Sequence, residues 1–227
     1  MKKIIQIIFL FSIFLFFHSS VVLGQESSAT VPSRLSLDEI LNRVENRYAV
    51  SGFSARFEQV STIPAMEITE TASGRIFVKR PGMMRWEYEK PDLQTVITDG
   101  KTLWIYRPED NQVMIGKAPA FFKDGKGAGF LADIKGIRSR FSINLENEIQ
   151  NGHYKLALHP VEKTFDVSVI HLSISTQTFE VVRIVTYNSY QDKTRIELSN
   201  IKFDQKLKDA LFTFKIPENV EILHLDE

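Results

Sequence analysis

The 227-residue chain carries 28 lysines and arginines against 28 aspartates and glutamates, so its formal net charge is zero. That balance excludes the electrostatic footprint of a nucleic-acid or anionic-membrane binder. The absence of cysteine excludes disulfides, zinc–thiolate sites, a cysteine nucleophile and an acylated cysteine on the chain itself.

Residues 1–24, MKKIIQIIFLFSIFLFFHSSVVLG, follow the order of a secretory signal peptide: two lysines, an apolar stretch, then small and polar residues. The apolar stretch over residues 4–17 is shorter than the roughly 20 residues a spanning helix needs. Cleavage after Gly24 is the expectation, leaving 227 − 24 = 203 residues, enough for one domain with a core. Losing Lys2 and Lys3 leaves 28 − 2 = 26 basic residues against 28 acidic ones, a net charge of −2. Residues 25–35 are polar and apolar-poor, a loose tail, and residues 36–227 form the domain.

Ser36-Leu37-Asp38-Glu39 has the form of a capping box. Leu37, Ile40, Leu41, Val44 and Tyr48 follow at helical spacing, and Gly52 is expected to end the helix. The period then changes to two. Phe53, Ala55 and Phe57 alternate with Ser54, Arg56 and Glu58; Met84, Trp86 and Tyr88 alternate with Arg85, Glu87 and Glu89. Residues 141–147, 154–159, 165–175, 179–188 and 194–203 repeat the theme, which marks strands with one buried and one wet face. Arg80-Pro81-Gly82, Asp99-Gly100, Asn151-Gly152 and Asn188-Ser189 are turn signals. About ten or eleven strands in an antiparallel meander are predicted. Residues 118–136 lack alternation and carry Phe121, Phe122, Phe130 and Leu131 among glycines, a loop with one or two short helices. The fold class is mainly β (α+β). A sheet that long curls into a barrel or half-barrel, with the few helices at its mouth or hollow side.

Catalytic patterns are missing. His153, His159, His171 and His224 show no metal spacing, and no G-x-S-x-G occurs. The stretch DGKGAGF at Asp124 lacks the order of a phosphate-binding loop. Glu87 and Glu89 share a polar strand face, and Asp99 sits in a hairpin turn. Trp86, Tyr88, Trp104 and Tyr106 could stack bases, but Arg75, Lys79, Arg80, Arg85, Lys90 and Lys101 are interleaved with Glu87, Glu89, Asp92 and Asp99, not gathered in a basic groove. What remains is an exported binder of something apolar, or a curved sheet whose inner face is plain core.

Several stretches resemble the LolA family of periplasmic outer-membrane lipoprotein carriers. They are F-x-Q at Phe57 and Gln59, G-x-x-x-V-K-R-P from Gly74 to Pro81, R-W-x-Y-x-x-P from Arg85 to Pro91, and D-G-K-x-L-W-x-Y-x-P from Asp99 to Pro108, with Gln112-Val113 after them. A weaker echo lies at Ala210 to Ile222. The resemblance implies an unclosed antiparallel β half-barrel with helices as a lid over an apolar concave face. It implies a monomeric chaperone that takes the acyl chains of lipoproteins from an inner-membrane ABC transporter (LolCDE-like) and passes them to an outer-membrane receptor (LolB-like). No catalysis, cofactor or metal is implied. By the same resemblance Arg80 would latch the lid through backbone carbonyls, since a guanidinium offers five donors. Phe57, Met84, Trp86, Tyr88, Leu103 and Ile105 would line the acyl cavity. Leu37, Ile40, Leu41, Val44, Phe121, Phe122, Phe130 and Leu131 would belong to the lid. Three long acyl chains in water expose apolar surface on the order of 30 kcal/mol, at roughly 0.8 kcal/mol per CH₂, so a broad apolar cavity suits the task. A carrier of another envelope lipid such as a glycolipid, or a non-enzymatic lipid-sensing module, would use the same half-barrel.

Overall fold

Alternating side chains make strands here because one face of each such strand meets a common core. The computed structural model describes residues 35–118, 123–146, 149–163 and 166–225; the expected leader (1–24) and most of the expected tail (25–35) lie outside them. Leu35–Glu227 form one compact unit. Its elements are α1 (Leu37–Arg47), β1 (Gly52–Ile63), β2 (Ile68–Lys79), β3 (Met83–Lys90), β4 (Gln94–Thr98), β5 (Thr102–Arg107) and β6 (Gln112–Lys117). A 3-10 stretch (Lys123–Ala132), a 3-10 turn (Ile134–Gly136) and the short α2 (Ile137–Arg140) follow. Then come β7 (Phe141–Leu145), β8 (His153–Pro160), β9 (Val169–Ser175), β10 (Val181–Tyr187), β11 (Lys193–Lys202), a 3-10 turn (Asp209–Phe212) and β12 (Glu221–His224).

Among the described residues, twelve strands form one sheet in the order β12-β6-β5-β4-β3-β2-β1-β11-β10-β9-β8-β7. Its end strands β12 and β7 do not pair with each other, so the half-barrel is unclosed. The sequence reading falls short in two respects. It counts ten or eleven strands in an antiparallel meander where twelve form, and β12 adds to β6 in parallel. Residues 221–224, EILH, are exposed on both faces, and their adjacent Ile222 and Leu223 do not alternate. The helix also stops at Arg47, with Tyr48 as its C-cap, and Gly52 instead opens β1. A Cβ at Gly52 would stand 2.9 Å from the Val78 carbonyl oxygen, which explains the glycine by close strand approach. The capping box forms as expected: the Glu39 N–H donates to Ser36 Oγ, and the Ser36 N–H to Glu39 Oε2.

Strand parity sorts the side chains. On the inner face a row runs across five strands, Ile76–Trp86–Val96–Ile105–Met114, each pair directly opposite. On the outer face of β1–β3, Arg75 reaches Glu87 and Glu89 at 2.9 Å each, Arg56 reaches Glu89 at 3.0 Å and Arg85 reaches Glu87 at 2.6 Å. Gly74 is demanded by packing, because a Cβ there would lie 1.9 Å from the Glu87 carbonyl oxygen at the bulge where β2 meets β3.

After β11 the chain crosses the outer face. Gln205 N–H donates to the Gly52 carbonyl, Lys79 Nζ to the Leu207 carbonyl and to Asp209, and Arg85 Nη1 to the Leu211 carbonyl. Phe212 and Ile97 are buried, and Phe214 packs on Tyr106 with ring centroids 5.3 Å apart. The outer side of β3–β6 therefore has its own small apolar layer.

Candidate functional site

The inner face of β1–β5 is aromatic at its centre. Phe57 contacts Trp86 and Tyr88 edge to face, with centroids 4.8 and 5.0 Å apart. Phe57, Met84, Trp86, Leu103 and Ile105 are all buried on this face. Tyr88 completes the row, its hydroxyl donating to Gln59 Oε1 at 3.2 Å, and burial pushes its pKa up to about 12. Trp86 Nε1 is buried with no hydrogen-bond partner.

Two segments cover this face. Ile40, Leu41 and Val44 turn the apolar stripe of α1 into the core, with Leu37 partly buried beside them. Phe130 and Leu131, at the end of the 3-10 stretch, are fully buried, and Ile134 and Ile137 continue that layer. Phe121 and Phe122 lie outside the described residues.

Polar ties hold α1. Arg138, on α2, donates to Asp38 Oδ1 at 2.7 Å, Asn42 Oδ1 at 2.8 Å and Glu45 Oε1 at 2.5 Å. These three residues stand at i, i+4 and i+7, one stripe of the helix. The bonds to Glu45 and Asp38 raise the pKa of Arg138. At the other end of α1, Arg47 pairs with Glu180 at 2.5 Å and lies 3.9 Å over the Phe203 ring. Tyr48 packs between Phe53 and Phe203 and accepts the Val181 N–H at 3.1 Å. The sequence does not single out Tyr48 or Arg138 as site residues. Tyr48 has a signal, its place in the helical stripe; Arg138 has none, because its partners lie far away in the chain.

Arg80 follows β2, in the β2–β3 turn. Its backbone N–H bonds the Ser51 carbonyl. Its side chain makes no hydrogen bond among the described residues, and Nη2 is buried without a partner. Burial lowers its pKa, and the charge of Asp133 offsets that only in part. Asp133 itself caps the Ile134–Gly136 turn and pairs with Arg140 at 3.2 Å.

Between the sheet and its cover lies a cavity of about 390 Å³. Trp86, Tyr88, Val96, Ile105, Val167 and Ile196 supply apolar walls; Gln59, Gln94, Thr186, Asn188, Asp192 and Thr194 form a polar margin. Of the six residues expected to line a cavity, Trp86, Tyr88 and Ile105 line this one, whereas Phe57, Met84 and Leu103 are packed in the core around it. Among the described residues no group of three or more histidines or carboxylates could hold a metal ion, and no helix is long and apolar enough to cross a membrane.

The chain is similar to known proteins. A family model, described as outer membrane lipoprotein carrier protein LolA, matches residues 48–215. An outer-membrane lipoprotein carrier protein of Chromobacterium violaceum is 33% identical over 173 residues, covering 76% of this chain and 81% of its own. One of Coxiella burnetii is 25% identical over 225 residues, covering 98% and 99%. A crystal structure of an uncharacterized conserved protein from Thermus thermophilus superposes with a TM-score of 0.56 at 17% identity, over 84% of this chain and 99% of that one. That last likeness concerns the fold alone.

Proposed function

Since the chain belongs to the LolA family of outer membrane lipoprotein carrier proteins, we propose that it binds the acyl chains of lipoproteins released from the inner membrane, crosses the periplasm with them and hands them on at the outer membrane. In this reading residues 1–24 are the export signal. An inner-membrane lipoprotein-releasing ABC transporter supplies the cargo and an outer-membrane receptor takes it. The protein works as a monomer, without a cofactor and without making or breaking a bond.

One observation carries the reading: an apolar inner face broad enough to span five strands, covered by side chains and not by another sheet. Burying acyl chains there is driven by their removal from water, at roughly 0.8 kcal/mol per CH₂. The force is non-directional, so it fits chains of varied length and leaves release possible. A cavity of about 390 Å³ lies in the range that holds one small ligand, roughly 300–1,000 Å³. An anchor with several chains would need the space now filled by Phe130 and Leu131, which makes the segment bearing them the moving part of the lid. Arg80 and Trp86, each with a buried donor left unpaired, sit on the side that would rearrange.

The test is to express the full chain in a Gram-negative host, isolate it from the periplasm and identify what co-purifies by native mass spectrometry, with Arg80→Leu in parallel. Diacyl- or triacyl-lipoprotein on the wild type supports the proposal, and a variant that keeps cargo but does not release it to acceptor membranes supports the latch. Glycolipid or phospholipid alone would replace lipoprotein as the cargo. A protein that carries nothing and takes up no fluorescent fatty acid would overturn the carrier reading.

A further inference from the structure

The four most exposed large apolar side chains among the described residues are Tyr190 (71%), Val161 (65%), Met66 (64%) and Leu93 (53%). All four lie in connections at one end of the sheet. Scattered apolar residues on a surface need no explanation, but these are not scattered.

Strand pairing puts three of the connections side by side. β1 pairs with β2 out to Ile63↔Ile68, and with β11 out to Thr62↔Lys193. β10 continues the level with Tyr187↔Lys193 and Tyr187↔Val169. The β1–β2 turn with Met66, the β10–β11 turn with Tyr190 and the β8–β9 connection with Val161 thus follow one another along the rim. Alternate gaps between strands separate neighbours by about 10 Å. The β3–β4 turn with Leu93 is set back. The last β2–β3 pair is Ser73↔Lys90, so residues 68–72 run on past it, about 17 Å at 3.4 Å per residue. The β1–β2 hairpin is a prow, and Tyr190 stands on the neighbouring turn.

These tips are built, not loose. Asn188 Oδ1 accepts the N–H groups of Tyr190 and Asp192 at 2.9 Å each, and its Nδ2 donates to Asp192 Oδ2 at 2.8 Å. Glu67 closes the β1–β2 turn in the left-handed region, its N–H bonded to the Pro64 carbonyl. Asn188 and Asp192 of the Tyr190 turn also line the cavity. The rim that carries the tips is therefore the margin of the cavity.

We propose that this rim docks on a lipid bilayer of zwitterionic headgroups, with Met66 and Tyr190 entering the interface first. A protein partner needs a continuous desolvated patch, and single side chains about 10 Å apart do not make one. A fluid bilayer closes around each separately. Tyrosine suits the headgroup level, with an apolar ring and a polar tip. Glu67, Glu70, Glu162 and Asp192 stand near the tips against Lys163 and Lys193, so an anionic surface is not favoured. Two or three side chains give a weak, reversible contact, as a shuttling protein requires. Docked so, the cavity margin would face the bilayer, and a chain could pass between them with little exposure to water. That use rests on the carrier reading; the docking does not.

The experiment is flotation of the purified protein with phosphatidylcholine vesicles, beside the double variant Met66→Ser/Tyr190→Ser, whose changes touch exposed positions. The wild type should float with the vesicles, and the variant should bind about a hundredfold more weakly, the scale expected when two such side chains no longer leave water. A Met66→Trp variant should shift its emission to the blue and be quenched by brominated acyl chains. Wild-type protein that stays behind, a double variant that floats equally well, or binding confined to anionic vesicles would overturn docking. Titration of both proteins with a fluorescent fatty acid in vesicle-free solution keeps the two proposals apart. A wild type that fails to float but binds the fatty acid sinks docking alone; a wild type that floats but binds no fatty acid sinks the carrier reading alone.

Discussion

Arg138 and Arg80 both border the covered inner face, but their surroundings differ. Arg138 donates to three side chains of α1. Arg80 donates from its side chain to nothing among the described residues, and its Nη2 is buried. The contrast extends to the neighbours. On the α1 side the Tyr48 hydroxyl is bonded to the Val181 N–H, and Arg47, though its Nε is unpaired, reaches Glu180 and covers Phe203. On the cavity side Trp86 Nε1 is buried and unpaired. Buried polar groups are nearly always bonded, so unmet donors mark the side that changes its arrangement most cheaply. On the function proposed above, α1 would be the fixed part of the cover and the segment beside Arg80 the part that moves.

Tyr48→Ala should break the fixed side most severely. The ring is fully buried between Phe53 and Phe203, and truncations of this size cost about 3–5 kcal/mol. Chemical denaturation should show the loss. Tyr48→Phe keeps the packing and leaves the Val181 N–H without its acceptor, for about 1–3 kcal/mol. If Tyr48→Phe proves neutral, the α1 side is held by packing alone and the contrast with Arg80 weakens.

Alkali tests the cavity side. Burial raises Tyr88 to about 12, against about 10 in an unfolded chain. The folded state holds the proton more tightly, so the associated stability is whole below pH 10 and is lost as pH rises from about 10 to about 12. Two pH units correspond to about 2–3 kcal/mol. Denaturant midpoints measured from pH 9 to 12 should fall over that window, and Tyr88→Phe should flatten part of the fall. Tyr48, whose hydroxyl burial also pushes up, contributes to the remainder.

Arg138→Ala should remove about 1 kcal/mol, the scale of a partly exposed charge network, and the loss should shrink in high salt. Uptake of a fluorescent fatty acid should be the sharper reading. Faster uptake in the variant would mean that α1 moves too, and the cover would have no fixed part.

Strand parity makes much of this legible. The spacing of Met84, Trp86 and Tyr88, and of Leu103 and Ile105, puts them on one face because successive strand side chains point oppositely. The capping box announces the start of α1, and the positive φ of Gly82 and Gly100 matches the turns read at those glycines. Parity does not say which inner residues meet a cavity and which meet core, since that depends on what lies above them. The Arg138 clasp joins residues 100 and 93 positions apart, and an isolated arginine in GIRSR carries no sign of it. The outer-face layer over Ile97 is hidden likewise, because it is made by the chain after β11, whose Phe212, Phe214 and Ile216 do not say which face of the sheet they cover.

Arg80→Leu gives the smallest expected change in stability and the most direct test of the contrast. An arginine that is partly desolvated and unpaired costs the folded state something, and burial already lowers its pKa. A leucine fills similar space beside an apolar core without that cost. The melting temperature should therefore hold or rise, with a change within about 1 kcal/mol. Were Arg80 instead bonded to carbonyls in the state that dominates in solution, its loss would cost about 1.5–3 kcal/mol, the range for bonds from a charged group. A marked drop in melting temperature would mean that the latch is engaged at rest. An unchanged or higher one, together with cargo that is held but not released, would mean that Arg80 acts after cargo has entered, when the displaced segment offers it carbonyls.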